Sequence, residues 1–363
     1  MLLNVKVITR NIYLALRGII FSLFYLLAFR IRRTAIDHSR IKNILVIALF
    51  RIGDTIVSVP TFRAIKDNFP RSRLTVFTDT YVEDIFERIP YVDKIVTYSS
   101  SSFFKQKKLI RYLSNKGFDL AVDLTCDYTF KGALLAYLSK ATYRIGYGTC
   151  GRGFLFNKIA RRKSKKTHII EELLAIVESI DVSTKDKSLA ISASDESKRE
   201  ITGILSDNNI GTQDILIGIH PGAYYKTQCW PAENFAAVAR KITTEYPFKL
   251  ALIGAKKEEF FIRKINDEIR GRAVVFLDKP LRELIAVIER CDLLLCNNSG
   301  PLHIAVAVGT PTVSLIGPAV FWRWEPKGKG HIVIKKSEGS GLRSTIPEEV
   351  FTAIKVQLEH ITK

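Results

Sequence analysis

Two stretches of the chain place small polar residues where an apolar strand gives way to a helix, and each has the makings of a site. The first reads ALFRIGDTIVSVP, in which a strand ends in Arg51-Ile52-Gly53-Asp54 and helical residues follow. Gly53 permits a tight turn. Asp54 is either an N-cap, worth about 1 kcal/mol, or a carboxylate placed to accept a proton. The second, LLLCNNSGPLHIAVAVGTPTVSLIGP, covers residues 293–318. Its strand ends on Asn297-Asn298-Ser299-Gly300-Pro301, with no bulky or acidic side chain, and His303 follows in the first helical turn. Backbone N–H groups and the positive end of the helix dipole favour an anion at such a point, and a phosphate can approach the backbone closely. The alternative is ordinary capping by Asn298 and Ser299.

Both loops need a scaffold, and the surrounding pattern supplies one. From Asn43 onward, short β-branched runs alternate with helical stretches: NILVIAL, RLTVFTD, DKIVTY and DLAVDL read as strands, VSVPTFRAIKDNF and YVEDIFERI as helices. Apolar strands covered on both faces predict an α/β fold with a doubly wound parallel sheet. The rhythm loosens in the polar stretch Asp181 to Asp214, then restarts at ILIGIHPG and runs to TVSLIG, so a second Rossmann-like unit is expected. The segment IPEEVFTAIKVQLEHI has Pro347 and two Glu at its start, as a helix N-terminus prefers. The expected organisation is an extension over 1–40, a first domain over 41–205, a second over 206–345, and a final helix over 346–363 crossing back to the first domain. In open parallel sheets ligands bind beyond the carboxyl ends of the strands, which is where both loops fall. Asp54 then lies at a cleft between the two domains.

Composition narrows the partners. The chain has 363 residues, 47% hydrophobic content and a formal net charge of +19, which calls for an anionic partner: nucleic acid, phosphorylated glycolipid, anionic membrane or nucleotide. No nucleic-acid motif and no aromatics interleaved with a basic face are present, so nucleic acid is not expected. Cys126, Cys150, Cys229, Cys291 and Cys296 form no C-x-x-C pair, which reads as free thiols in a reducing compartment without a structural metal. No D-x-D triplet offers itself to a divalent ion. The segment NIYLALRGIIFSLFYLLAFRIRR is uninterrupted only from Gly18 to Phe29. That is short of the roughly 20 residues a bilayer needs, so it reads as an interfacial helix on an anionic membrane or a helix packed on the domain. The basic run 151–168 either holds a phosphorylated glycolipid or is a solvated face. Gly146 to Gly151 satisfies G-x-G-x-x-G, but with no buried strand leading in and no helix following it is not a dinucleotide site.

Three segments in this order, RIGDTIVSVP, IGIHPGAYYKTQCWPAENFAAVA and NNSGPLHIAVAVGTPTVSLIGP, resemble glycosyltransferase family 9, the bacterial heptosyltransferase group. The resemblance implies a GT-B fold, two Rossmann-like domains facing a central cleft, and an inverting, metal-independent transfer of a sugar without a cofactor. The implied donor is an ADP-sugar, usually ADP-heptose, and the implied acceptor a lipopolysaccharide core or other lipid-linked glycan. By motif match Asp54 is the general base. Lys226 is the candidate for the donor phosphates, although the family's Lys stands two positions before the Trp, where this chain has Gln228. Glu258 of GAKKEEF matches the acidic residue on the ribose, and Asn298 stands where many members have Asp. Ser299, Gly300, Pro301 and His303 form the phosphate loop and first helical turn, with His303 either packed or touching ligand. Arg51 and Lys131 are the acceptor-side candidates, Lys131 otherwise being a surface lysine. The implied location is peripheral, on the cytoplasmic face of the inner membrane. Competing readings are a nucleotide-sugar epimerase of similar two-domain fold and a non-catalytic basic membrane-binding protein.

Overall fold

The computed structural model describes residues 36–98, 103–127, 129–164, 166–317, 321–336 and 341–361. The expected interfacial helix lies outside them. Of the 1–40 extension the end is described, where His38–Arg40 makes a 3-10 turn whose Ser39 N–H donates to the Asp37 carboxylate. No helix among the described residues is long and apolar enough to cross a membrane.

The chain divides into two compact units. The first runs to Phe50 and resumes over Ser58–Lys187, and the second comprises Arg51–Val57 and Ser188–Lys363. The break at Lys187 lies inside the polar stretch from Asp181 to Asp214, earlier than the boundary expected at residue 205. The seven residues of Arg51–Val57, carrying helix α1 (Ile52–Val57), therefore leave the first strand of one unit and belong to the other.

In the first unit, β1 (Asn43–Ala48), β2 (Arg73–Asp79), β3 (Lys94–Tyr98), β4 (Leu120–Asp123), β5 (Tyr143–Tyr147) and β6 (Lys158–Ala160) form one parallel sheet in the order β3-β2-β1-β4-β5-β6. Ile44 to Ala48 are fully buried, as expected of a central strand covered on both faces. The helices are α2 (Val59–Asn68), α3 (Glu83–Phe86), α4 (Phe103–Ser114), α5 (Lys131–Leu138) and α6 (Ile169–Glu178). Pro60 sits at the start of α2, where its missing N–H costs nothing.

The second unit repeats this winding. Strands β7 (Leu216–His220), β8 (Lys249–Gly254), β9 (Ala273–Leu277), β10 (Leu293–Asn297), β11 (Thr312–Ile316) and β12 (His331–Lys335) pair in parallel in the order β12-β11-β10-β7-β8-β9. Its helices are α7 (Asp195–Asp207), α8 (Ala232–Glu245), α9 (Glu259–Glu268), α10 (Leu281–Arg290), α11 (Gly300–Val308), α12 (Phe321–Trp324) and α13 (Pro347–Ile361). In both sheets the strand order reverses at one place, between β1 and β4 and between β7 and β10, and open α/β sheets bind ligands at that place. Cys296 pairs with His220 there, so the loops after β7 and β10 start side by side.

Helix α13 was expected to cross back to the first domain. It buries Val350, Phe351, Ile354 and Leu358 in the core of the second unit, packing on α8, β11 and β12. These positions recur at helical spacing, so the apolar stripe of the helix is covered within its own unit.

Candidate active site

Helix α1 packs on the start of α11, and two glycines set the approach. A Cβ added at Gly53 would lie 2.9 Å from Cδ2 of His303, and one at Gly300 would lie 2.9 Å from Cγ2 of Ile52. The backbone at Gly53 is not left-handed, so the turn expected of this glycine is not what it provides. It provides room for the His303 ring. His303 itself is buried, with its ring 5.6 Å from that of Trp324, so it packs rather than standing open in the loop.

Asp54 follows in the first turn of α1, and no described residue forms an ion pair with it. Burial pushes its carboxyl above the usual carboxylate range, against the downward pull of the Arg51 backbone N–H, the Arg51 and Arg323 charges and the Asp54 N–H. An acid so shifted is a better proton acceptor than an ordinary surface Asp. Arg51 does not close on Asp54; its guanidinium carbon lies 3.6 Å from the centroid of the Tyr224 ring. Tyr224 in turn meets Tyr225 edge-on, with centroids 4.7 Å apart, and both tyrosines are exposed.

The start of α11 carries no side-chain cap. Ser299 is the N-cap residue in extended conformation, but its hydroxyl donates to the Asn297 carbonyl (3.2 Å) rather than accepting from the helix. Asn298 is half-buried, and its backbone N–H donates to Leu315. Pro301 is buried in the first turn, and α11 ends at Gly309, whose φ of 83° requires glycine. Of the two sequence alternatives for this loop, capping by the Ser299 side chain is not realised; the Leu302 N–H donates to the Ser299 carbonyl (3.2 Å), and Pro301 has no N–H to offer.

Asn297, given no role of its own in the sequence, ties this corner together. Fully buried, its side chain accepts from Trp230 N–H (3.1 Å) and donates to the Pro221 carbonyl (2.7 Å), and Trp230 Nε1–H donates to the Thr345 carbonyl (2.9 Å). The loop between β7 and α8 is thereby fastened to the end of β10. Lys226 opens a 3-10 turn, Lys226–Gln228, within that loop; its side chain lies outside the described part of the structure. Glu258 is buried, with Oε2 accepting from Ala255 N–H (2.9 Å) and Oε1 against Gly222, where a Cβ would collide with it. Behind it His220 donates from Nδ1 to the Ile253 carbonyl (3.0 Å), and burial holds the imidazole below its ordinary pKa despite the nearby Glu258 charge.

Arg51, Asp54, Glu258, Asn298, Ser299, Gly300, Pro301, His303 and the Lys226 loop thus belong to the second unit. Lys131 belongs to the first. It opens α5 with its ammonium 3.4 Å from the centroid of the Tyr98 ring; burial lowers its pKa and the Asp79 charge opposes this. Nearby is a buried knot that the sequence did not reveal. Asp123, at the end of β4, accepts from Thr125 through both N–H (3.0 Å) and hydroxyl (2.5 Å) on Oδ1, while Oδ2 has no hydrogen-bond partner. The buried Arg152 stands 3.9 Å away and donates to the carbonyls of Tyr147, Thr129 and Thr125. Burial outweighs that cation and pushes Asp123 up to about 6. The only hint in the sequence was a strand, DLAVDL, that carries an acid inside its apolar run.

Arg162 and Lys163 of the basic run 151–168 are tied back on their own unit: Arg162 pairs with Glu172 (3.2 Å), and Lys163 with Glu178 (2.7 Å) and Glu171 (3.7 Å). Strand β5 does lead into the glycine-rich Gly146–Gly151 stretch, contrary to expectation. The chain then enters a 3-10 segment, Thr149–Leu155, with Cys150 and Gly151 left-handed, not the helix a dinucleotide site needs. None of the five cysteines is in a disulfide. No group of three or more His, Cys, Asp or Glu suited to a metal occurs among the described residues.

Residues 106–345 match the family described as glycosyltransferase family 9 (heptosyltransferase). The chain is 24% identical over 315 residues to lipooligosaccharide heptosyltransferase 2 of Haemophilus ducreyi, covering 82% of this chain and 89% of that protein. It is also 24% identical over 299 residues to lipopolysaccharide heptosyltransferase 2 of Salmonella typhimurium, covering 76% and 83% respectively. Among solved structures, the glycosyl transferase family 9 protein of Veillonella parvula superposes with a TM-score of 0.80 at 24% identity, over 88% of this chain and 97% of that one. The E. coli ADP-heptose lps heptosyltransferase II superposes at 0.77 with 21% identity, over 88% and 100%. The paired GT-B sheets and a match across most of the chain lead to one assignment: this protein is a glycosyltransferase and belongs to family 9.

Proposed function

We propose that this glycosyltransferase moves heptose from ADP-heptose onto a lipopolysaccharide core, inverting the anomeric centre without a metal ion. The observation that carries this reading is the seat of Asp54: a carboxyl with raised proton affinity on α1, packed through Gly53 and Ile52 on the uncapped start of α11. An acceptor hydroxyl gives its proton to the Asp54 carboxylate as its oxygen attacks the anomeric carbon. The bond from that carbon to the diphosphate oxygen breaks on the opposite face, and ADP leaves. Backbone N–H groups at the start of α11 meet the departing negative charge as preorganised donors. Lys226 would add a cation to the same phosphates and Glu258 a contact to the ribose. Lys131 would meet acidic groups of the acceptor, and Arg51 is the other acceptor-side candidate.

The choice of sugar and acceptor is supported by the relatives, named for lipooligosaccharide or lipopolysaccharide heptosyl transfer, and by the E. coli structure, named for ADP-heptose. A lipid-linked acceptor accords with residues 1–40 holding the enzyme on the anionic, cytoplasmic face of the inner membrane. The test is transfer from ADP-heptose to purified heptose-deficient core with EDTA present, read by mass spectrometry. Asp54→Asn should lower turnover by about two orders of magnitude or more while donor binding persists. Transfer from another nucleotide sugar only would replace the donor, and loss of activity in EDTA would remove the metal-free route.

A further inference from the structure

Arg51 and Asp54 are three residues apart at the start of α1, a spacing at which an arginine and an aspartate commonly pair. They do not pair here. The Arg51 guanidinium carbon lies over Tyr224, 3.6 Å from the ring centroid, and neither Arg51 nor Asp54 enters an ion pair among the described residues. The ring is itself braced, edge to face, by Tyr225. Both aromatics follow directly on the fastened segment from His220 to Gly222, so the platform is set by the end of β7 rather than by α1.

We propose that Tyr224 is a positioning residue for Asp54: by holding the Arg51 guanidinium on its face, it keeps the carboxylate out of an ion pair and open to the hydroxyl proton. The chemistry requires this separation. A guanidinium closed on Asp54 would occupy its lone pairs through two parallel N–H···O bonds and stabilise the anion, leaving a poor proton acceptor. A guanidinium one ring away still contributes a positive field without covering the oxygens. The other charged or titratable groups near Asp54 are Arg323 of α12 and His303 of α11, whose ring flanks Gly53. Both are left intact in every variant of the test. The inference rests on the reading of Asp54 as base, and the test separates the two.

The measurement is the titration of the Asp54 carboxyl by carbon-13 NMR in the full chain, alongside the pH dependence of kcat/KM. Tyr224→Ala, with Tyr224→Leu as a second variant, should lower the Asp54 midpoint by about one pH unit or more, a tenfold change in its ionisation constant. Tyr224→Phe keeps the ring and should keep the native midpoint. Adding Arg51→Met to Tyr224→Ala should abolish the drop, because no guanidinium remains to close. An unchanged midpoint in Tyr224→Ala and Tyr224→Leu, or a drop that survives Arg51→Met, overturns the inference. A midpoint that moves as expected while the acid limb of kcat/KM stays fixed upholds the positioning role and removes Asp54 as the base.

Discussion

Gly53 and His303 approach so closely that a single methyl group would not fit between them: a Cβ at residue 53 would stand 2.9 Å from the imidazole Cδ2. His303 is buried beside Trp324 and has little space into which to retreat. Gly53→Ala should therefore destabilise the protein by about 1–3 kcal/mol, the usual range for overpacking, and lower turnover because Asp54 is the next residue. Urea unfolding checks the first effect. Adding His303→Ala should recover part of it, and a lack of recovery would place the strain elsewhere.

Asp54 should cost stability at neutral pH. Its folded-state pKa is raised, so the folded chain binds this proton more tightly than the unfolded chain does. The resulting stabilisation is full below the unfolded value near 3.8 and is lost as pH rises through the folded one. Asp54→Asn should accordingly raise Tm at pH 7, with the gain shrinking toward acid, even as turnover falls. A Tm that falls at pH 7 contradicts this.

The buried Asn297 amide should be among the costliest side chains to replace in the second unit. Asn297→Leu keeps the size but leaves the Trp230 N–H and the Pro221 carbonyl unpaired. At about 1–3 kcal/mol for each unsatisfied group, the loss should reach about 2–6 kcal/mol by denaturant unfolding. Affinity for ADP, measured by calorimetry, should weaken as the loop carrying Lys226 loosens.

For Asp123 the sign runs the same way as for Asp54. With a folded pKa of about 6 against 3.8 unfolded, its contribution is present below pH 3.8 and lost as pH climbs through 6, a decline of roughly 3 kcal/mol. His220 works in the opposite sense, its lowered pKa giving stability above 6.5 that is lost as pH falls. The clean observable is the difference between native protein and Asp123→Asn from pH 4 to 7. It should change across that window, and a flat difference would mean that Asp123 titrates normally.

Much of the fold was legible because continuous apolar strands such as NILVIAL and DLLLC mark the centre of a parallel sheet, and β1 and β10 are where those runs predicted. Strands β5, β6 and β12 went unrecognised. YRIGY interrupts its apolar residues with Arg and Gly, and KIA and HIVIK are the outermost strands on their sides of the sheets, where burial on both faces relaxes. The loop residues Asp54, Ser299 and Gly300 stood out by chemical type. The partnerships of Gly53 with His303 and of Arg51 with Tyr224 did not, because each joins residues more than a hundred positions apart through packing that no local pattern encodes.

Helix α1 belongs by its packing to a body whose remaining sequence begins at Ser188. A fragment expressed from Ser188 onward would hence be missing a structural part that only the amino-terminal half encodes, with the flank of α11 at Gly300 and His303 left bare. Cutting the polypeptide at the junction should not yield two self-sufficient modules. Dissection studies would have to restore that short peptide, in trans or by circular permutation, before the second unit could be judged alone.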